Sequence, residues 1–273
     1  MNAQEDGSSV AGGPYEVIAV RYGAFRSSRR ALYASYDAYD EPDGVMLMDY
    51  FFWIARNSQR TVVVDTGFDA EVGRRRGREV VCEPRDCLDR LGIASDSVTH
   101  VVLTHFHYDH IGNVDLFPRA QLIASAREFS FWTGRYGRQP VPAAPVELAE
   151  VQALERARQE GRLTLVPDEH AEVPGIELLD LSGHTPGQLG VSVQTGGGRV
   201  VLASDAAHSY EEYERAMPFH IFSDLEAMYR GFDTLRGLTA SPGTVVVPGH
   251  DPEVMRRFPA VSEGTADLAV RLA

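Results

Sequence analysis

The stretch Thr99–His110 (THVVLTHFHYDH) carries the densest chemical signal in the sequence. Its first part, Thr99 to Leu103, is short and mostly apolar, which predicts a buried strand. The segment that follows, His105-Phe106-His107-Tyr108-Asp109-His110, places four potential metal ligands within six residues. Imidazole and carboxylate groups bind zinc, iron, cobalt and manganese. Such a cluster on a loop that follows a buried strand predicts a metal site rather than a set of exposed polar side chains.

Three further metal-type side chains follow predicted strands later in the chain. His184 comes shortly after one strand, Asp205 directly after the strand Val200–Ser204, and His250 after the strand Thr244–Val247. Loops at strand ends are where sheet proteins gather functional residues. We therefore expect these three side chains to complete the metal site.

Length, composition and charge argue against several classes of protein, among them nucleic-acid-binding and membrane proteins. The chain has 273 residues, 44% of them hydrophobic and 24% charged, and a formal net charge of −13. Such a surface repels phosphate backbones and anionic membranes, so we expect neither a nucleic-acid partner nor a membrane partner. No apolar run approaches the roughly 18 residues of a spanning helix, and no signal peptide is recognisable. A cytoplasmic location is the resulting expectation.

The hydrophobic pattern predicts one domain. Residues 1–14 are polar and rich in glycine and serine, which predicts a disordered tail, and residues 15–273 are expected to fold as a single unit. The predicted strands are Tyr15–Tyr22, Met46–Ala55, Arg60–Asp65, Thr99–Leu103, Leu122–Ala124, Leu163–Val166, Ile176–Leu181, Leu189–Gln194, Arg199–Ala203 and Thr244–Val247. The predicted helices are Pro84–Leu91, Ala126–Thr133, Val146–Glu160, Leu225–Leu235 and a closing helix at the C-terminus. This order predicts a layered α/β (α+β) domain with helices outside the sheets.

The motif set resembles that of the metallo-β-lactamase superfamily. The resemblance rests on His-x-His-x-Asp-His, the later Gly-His-Thr-Pro-Gly, the lone aspartate after a strand and the terminal Gly-His, and it spans Tyr15 to about Pro252. It implies an αββα sandwich with two metal ions at one edge. It also implies a ligand set for each ion: His105, His107 and His184 for the first, Asp109, His110 and His250 for the second, and Asp205 bridging both.

The motif Val64-Asp65-Thr66-Gly67 also matches the superfamily. In that family the aspartate orients the ligand loops rather than binding metal, so the resemblance implies the same role for Asp65. The alternative is that Asp65 simply makes a turn with Gly67.

Within the superfamily, the chain looks most like the N-acyl-homoserine lactonases and related lactonases such as pyridoxolactonase. The match extends to Thr185-Pro186-Gly187, the run AAHSYEEYE after Asp205, Met217-Pro218-Phe219 and Pro248–Asp251. In those lactonases, a tyrosine three residues after the bridging aspartate contacts the substrate carbonyl. His208 stands at that position here, and Tyr210 lies two residues further on. His208 either replaces the tyrosine as a hydrogen-bond donor or proton donor, or indicates a different substrate.

The resemblance implies hydrolysis of a lactone ring. Two divalent ions can share a hydroxide that attacks the carbonyl carbon, and Asp109 or Asp205 could then transfer the proton. Zinc is the first expectation for the metal, with iron, manganese or cobalt as alternatives because the same ligands accept them. Beyond His208 and Tyr210, the apolar residues expected to contact a small-molecule lactone or ester are Met48, Phe52, Phe131 and Phe219. A homodimer is a further possibility that the family suggests.

Other branches and functions match less well. Many β-lactamases complete the second metal site with a cysteine, whereas Cys82 and Cys87 lie far from the motifs. The RNA-processing branch is expected to need a basic face, which the net charge of −13 argues against. Glyoxalase II enzymes carry a sizeable C-terminal helical domain, whereas only 23 residues follow His250 here. Thioester or ester hydrolysis is the main alternative activity. A diiron redox protein is a weaker one, because those relatives usually carry glutamate where His107 stands.

Overall fold

The structure, a computed structural model, describes residues 10–167 and 170–273. The strands are β1 (Glu16–Ser28), β2 (Val45–Arg56), β3 (Thr61–Val64), β4 (Glu79–Val80), β5 (His100–Leu103), β6 (Gln121–Ser125), β7 (Leu163–Val166), β8 (His170–Val173), β9 (Ile176–Asp180), β10 (Leu189–Thr195), β11 (Gly198–Ser204), β12 (Thr244–Pro248) and β13 (Ala269–Arg271). The helices are α1 (Arg29–Leu32), α2 (Ala70–Arg75), α3 (Pro84–Arg90), α4 (Tyr108–Ile111), α5 (Ala126–Thr133), α6 (Pro140–Ala143), α7 (Leu148–Gln159), α8 (Tyr210–Arg215), α9 (Leu225–Thr239) and α10 (Glu253–Arg257).

Two sheets face each other across the main core. Among the described residues, the first sheet has the order β13-β1-β2-β3-β5-β6-β7 with β4 paired to β1, and the second has the order β12-β11-β10-β9-β8. Side chains from both sheets, such as Phe51 and Trp53 of β2 and Val191 of β10, meet in one apolar cluster. Alternate residues of a strand point to opposite faces, so each sheet also presents an outer apolar face to helices.

Helices cover both outer faces. Residues Cys87 and Leu88 of α3 and Val151 and Leu154 of α7 pack on the outer side of the first sheet. The second sheet is covered by α9, whose Phe232 is fully buried. The layers are therefore helix, sheet, sheet, helix, and the predicted αββα sandwich is confirmed.

Strand direction brings the predicted site residues to one edge. In the first sheet β3, β5 and β6 run parallel, so Asp65 and His105 follow neighbouring strands at the same end. In the second sheet β11 and β12 run parallel, which places Asp205 and His250 at one end as well. The two ends meet, since the backbone N–H of Leu189 donates to the carbonyl oxygen of Thr104 at 2.9 Å.

The C-terminus differs from its prediction. The expected closing helix is reduced to the short α10, and the chain ends in β13, which pairs antiparallel with β1. Leu268, Val270 and Leu272 are all buried there. The free edge of β1 supplies hydrogen-bond partners for a strand, and this long-range pairing overrides the local helical preference.

The predicted disordered tail lies mostly outside the described residues. Its last five residues, 10–14, are described and contact the hairpin between β2 and β3, where the side-chain amide of Asn57 donates to the carbonyl oxygen of Gly13 at 3.0 Å. In the part of the chain that the structure describes, no helix is long and apolar enough to cross a bilayer. The cytoplasmic location and the homodimer stay predictions.

Candidate metal centre

The seven predicted ligands come together at the sheet edge, and all are buried. They form two groups, and within each group the ligand atoms lie within 4.8 Å of one another. The first group is His105, His107, His184 and Asp205, and the second is Asp109, His110, His250 and Asp205. Asp205 belongs to both groups, which is the arrangement that a bridging ligand requires.

The two carboxylate oxygens of Asp205 face different groups. Oδ2 lies 3.4 Å from Nε2 of His184 and 3.7 Å from Nε2 of His105. Oδ1 lies 2.9 Å from Nε2 of His250 and 3.3 Å from Nε2 of His110. The carboxylate thus lies between the two sets of imidazoles and can offer one oxygen to each.

Hydrogen bonds on the far side of the rings orient the histidines. Nδ1 of His184 donates to the carbonyl oxygen of Ile221 at 2.8 Å, and Nδ1 of His250 donates to that of Asp49 at 2.9 Å. A neutral imidazole that donates from Nδ1 carries its lone pair on Nε2. In both residues Nε2 is the atom that faces the centre, so the ring is set to bind a cation.

Unpartnered atoms and shifted pKa values show that the centre fits cations. Among the described residues, Nε2 of His105 and Nε2 of His110 are buried without a hydrogen-bond partner. Burial lowers the pKa of His105 and of His107 well below its ordinary value, and lowers the pKa of His184 to about 3. These rings are therefore neutral at physiological pH. Neutral imidazoles beside a carboxylate are the form that binds divalent metal ions, so the first group fits such an ion. In the second group burial works to lower the pKa of His110, but Asp205 and two further carboxylates raise it, and this concentration of negative charge fits a second cation.

Asp65 lies where it can orient the ligand loop. It is fully buried directly after β3, and its Oδ2 lies 2.7 Å from Nδ1 of His110. The same carboxylate accepts hydrogen bonds from the backbone N–H of Thr104 at 2.8 Å and from its hydroxyl at 2.9 Å. Asp65 thus joins the two ends of the motif loop. These contacts support the orienting role over that of a simple turn residue.

His208 lies at the centre beside the shared carboxylate. Its Nε2 is 3.1 Å from Oδ2 of Asp205, and its Nδ1 is 3.1 Å from Oε2 of Glu212. Glu212 also accepts from the backbone N–H of Phe219 at 2.9 Å, and the Phe219 ring stacks on His208 with centroids 3.7 Å apart. Burial works to lower the pKa of His208, but the two carboxylates raise it to about 10. The two carboxylates and the stacked ring of Phe219 hold the imidazole of His208 in one orientation.

A cavity of about 270 Å³ opens onto these residues. Met48 and Phe219, two of the predicted substrate contacts, line it together with His208. Phe131 lines a neighbouring cavity of about 360 Å³ that reaches His107. These side chains lie where they can contact a molecule bound at the centre.

Phe52 and Tyr210, which were also expected to contact the substrate, are not among the described residues that line these cavities. Phe52 is on the same face of β2 as Met48 but deeper in the domain, where its ring lies 6.1 Å from that of Tyr22. Tyr210 begins α8, and its ring lies against the guanidinium of Arg257, 3.6 Å from the ring centroid. The start of this helix turns Tyr210 away from the centre.

Glu128 was not predicted as a site residue, yet its carboxylate joins two ligand loops. It is fully buried, and it accepts from the backbone N–H of Phe106 at 3.0 Å and from that of Gly187 at 2.9 Å. The indole N–H of Trp132 also donates to it. In the sequence Glu128 stands three residues after the N-cap Ser125, a spacing typical of a helix capping box. The local pattern therefore gives no indication of its long-range role.

Comparisons with known proteins agree with this geometry. The N-acyl homoserine lactonase AiiB of Agrobacterium fabrum is 28% identical over 221 residues, which cover 74% of this chain and 79% of that protein. An N-acyl homoserine lactonase of Bacillus sp is 25% identical over 170 residues, and the match spans only 62% of that protein's length. The crystal structure of a quorum-quenching N-acyl homoserine lactone lactonase superposes with a TM-score of 0.72 at 18% identity, covering 91% of this chain and 97% of the other.

A second solved structure, the dizinc quorum-quenching lactonase AidC, superposes with a TM-score of 0.67 at 18% identity and covers 87% of this chain and 88% of the other. At these identities the structural likeness shows a shared fold. The family model described as the metallo-beta-lactamase superfamily matches residues 50–250, which include every residue of both candidate metal groups. With its fold and motifs matched over most of its length, the chain belongs to the metallo-β-lactamase superfamily.

Proposed function

We propose that this protein is a dinuclear metal-dependent hydrolase that opens lactone rings, either N-acyl-homoserine lactones or related lactones. The observation that carries the proposal is the position of Asp205, which is shared by two buried His/Asp groups at the floor of a cavity. Two cations held side by side are a recurring arrangement in enzymes that hydrolyse phosphoric ester and amide bonds, and the same chemistry applies to a carboxylic ester. Two relatives that match over 221 residues are N-acyl homoserine lactonases, which favours lactones among these substrates.

The ligand assignment is part of the proposal. His105, His107 and His184 would hold the first ion, Asp109, His110 and His250 would hold the second, and Asp205 would serve both. Zinc is the proposed metal because nitrogen and carboxylate ligands suit it and because the similar structure AidC is described as dizinc. When bound, the ions supply a hydroxide at neutral pH and polarise the carbonyl of the ester.

The side chains around the ions direct the reaction. Nε2 of His208 points toward the centre, so this N–H can donate to the substrate carbonyl oxygen or protonate the departing alkoxide. Glu212 holds the opposite side of the ring and keeps Nε2 in that direction. Asp109, which lines the same cavity, would transfer the proton to the leaving alkoxide. The apolar wall formed by Met48 and Phe219 limits access of bulk water.

Turnover with a panel of substrates tests this function. The zinc-loaded enzyme is offered acyl-homoserine lactones of several chain lengths, simple aliphatic and aromatic lactones, and one thioester. Ring opening is followed by proton release and thioester cleavage by free thiol, while the metal content is measured by atomic emission. Asp109→Asn is the control variant that we expect to be inactive, because asparagine has nearly the shape of aspartate but lacks its negative charge.

We expect lactone opening with about two metal ions per chain, and loss of this activity in Asp109→Asn. Thioester cleavage without lactone opening would move the protein to the ester and thioester hydrolases. Absence of any hydrolysis from protein that binds two ions per chain would overturn the proposal.

A further inference from the structure

The cavity at the metal centre contains one strongly basic side chain. Among the described residues that line it, Arg78 is the single arginine, and there is no lysine. Arg78 follows α2 and immediately precedes β4, so it reaches the cavity from the surface of the first sheet. It is half-buried. Arginine stays protonated at all physiological pH values, so the cavity carries a permanent positive charge at this wall.

Two contacts fix the orientation of the Arg78 guanidinium. Its carbon atom Cζ lies 3.9 Å from the centroid of the Phe25 ring, and Nε donates to the hydroxyl of Tyr108 at 2.8 Å. Stacking on an aromatic ring holds the plane of a guanidinium while leaving its edge free to donate. Phe25 and Tyr108 line the same cavity as Arg78. The group is therefore held in place beside the space where a substrate would lie.

The terminal nitrogens of Arg78 have no partner among the described residues. No acidic side chain in that part of the chain lies within ion-pair distance of Arg78, and its one hydrogen bond uses Nε. The neighbouring arginines are different. Arg75 and Arg76 both bind the carboxylate of Glu147, at 3.0 Å and 2.7 Å. Arg78 thus differs from these two arginines, because its terminal nitrogens are available to an acidic ligand in the cavity.

We propose that the free edge of Arg78 binds a carboxylate that the substrate carries in addition to the ester group that is cleaved. The preferred substrates are then lactones with a second, ionised carboxyl group, rather than neutral lactones. A guanidinium edge presents two parallel N–H groups, and these match the two oxygens of a carboxylate. The inference rests on the proposed lactonase function and specifies its substrate class.

A pair of substrates matched in shape but not in charge tests the inference. γ-Butyrolactone-γ-carboxylate and its γ-carboxamide have nearly the same shape and differ in charge. Both are offered to the wild type and to Arg78→Gln, Arg78→Lys and Arg75→Gln, all zinc-loaded. Arg75→Gln is the control because it removes an arginine from the same segment that is bound to Glu147 and is absent from the cavity.

The wild type should prefer the carboxylate. In Arg78→Gln, kcat/KM for the carboxylate should fall about 10- to 100-fold, mostly through KM, because a hydrogen-bonded charge pair is lost. The value for the carboxamide should change by less than about threefold, and Arg75→Gln should resemble the wild type. Arg78→Lys should keep part of the preference, since it keeps the charge without the paired donors.

Equal losses for the two substrates, or no preference in the wild type, would overturn the inference and leave Arg78 as support for Tyr108. Binding of hydroxyglutarate, the ring-opened dicarboxylate, provides a second measurement by calorimetry that needs no turnover. Binding that is weakened about tenfold or more in Arg78→Gln supports the inference even if no lactone is opened. Equal binding by both proteins contradicts it, whereas opening of neutral lactones alone would keep the lactonase function and reject the carboxylate preference.

Discussion

Oδ2 of Asp65 lies 2.7 Å from Nδ1 of His110, although the two residues are 45 positions apart in the chain. This contact sets which nitrogen of the ring faces the second candidate metal site. Asp65→Asn should lower the affinity for the second metal ion about 10- to 100-fold, because residues that hold a ligand ring have effects of this size. Asparagine also tolerates the left-handed backbone of Asp65, whose φ is 61°, so the fold should persist. Competition with a chelator measures the affinity, and Asp96→Asn, at an exposed position, is the control.

Glu128 should matter for stability as much as for the metal site. Glu128→Gln replaces a carboxylate that accepts three N–H groups with an amide whose own N–H₂ must face one of those donors. We expect a loss of about 2–4 kcal/mol in the free energy of unfolding. Urea unfolding measures this, with Glu226→Gln on the exposed side of α9 as a control that should change stability by less than about 0.5 kcal/mol. A Glu128→Gln protein as stable as the wild type would show that the loops do not depend on this carboxylate.

His208 should affect turnover rather than metal binding. His208→Ala should lower kcat for lactone opening by about 100-fold or more, since loss of a placed proton donor typically has effects of this order. The metal content should stay at about two ions per chain. Glu212→Gln should lower kcat to a smaller extent, because the ring loses the partner that orients it but keeps its place. Unchanged kinetics in His208→Ala would remove this residue from the reaction.

Glu150 on α7 should make stability depend on pH. Its Oε2 is buried without a hydrogen-bond partner among the described residues, and burial, followed by the charge of Glu147, raises its pKa to about 8. The folded protein therefore keeps this proton when the unfolded chain, with an ordinary pKa of 4.5, has lost it. The contribution of Glu150 to the free energy of unfolding is therefore fully present below about pH 4.5 and is lost as the pH rises to about 8.

The glutamine side chain in Glu150→Gln is neutral at every pH, so this variant should not lose stability between about pH 4.5 and pH 8 through this position. At about pH 9 it should be more stable than the wild type by at least about 1 kcal/mol, and the difference should disappear near pH 5. Thermal unfolding at fixed zinc concentration across this range provides the measurement. Glu155→Gln, on the same helix, should run parallel to the wild type. A constant difference between Glu150→Gln and the wild type at all pH values would contradict the assignment.

The strand elements and the ligand set could be predicted from the sequence because their signals are local. A short apolar run followed by His-x-His-x-Asp-His predicts a buried strand that ends in a metal-binding loop, and β5 and α4 have this arrangement. The C-terminus shows where local signals fail. Its last residues form β13 because the edge of β1 offers hydrogen-bond partners, and no pattern within those residues shows that this edge is near.

The substrate wall shows the same limit. Met48 and Phe52 share one face of β2, so strand periodicity predicts the same surroundings for both. Only Met48 lines the cavity, because depth along the strand depends on what packs above it. Arg78 and Glu128 were missed for a related reason. Their partners across the fold lie 22 to 59 residues away, and neither residue belongs to a motif of the metal site.

The sequence by itself determined that this chain carries seven metal-type side chains on loops that follow strands. Both the apolar run of each strand and the ligand-type residue after it are patterns of neighbouring residues. Only the tertiary structure decided how they meet. The packing of the two sheets places one oxygen of Asp205 toward each imidazole group, sets Glu212 behind His208, and turns Arg78 into the cavity. These relations depend on contacts between distant parts of the chain, and such contacts exist only after the apolar core has closed.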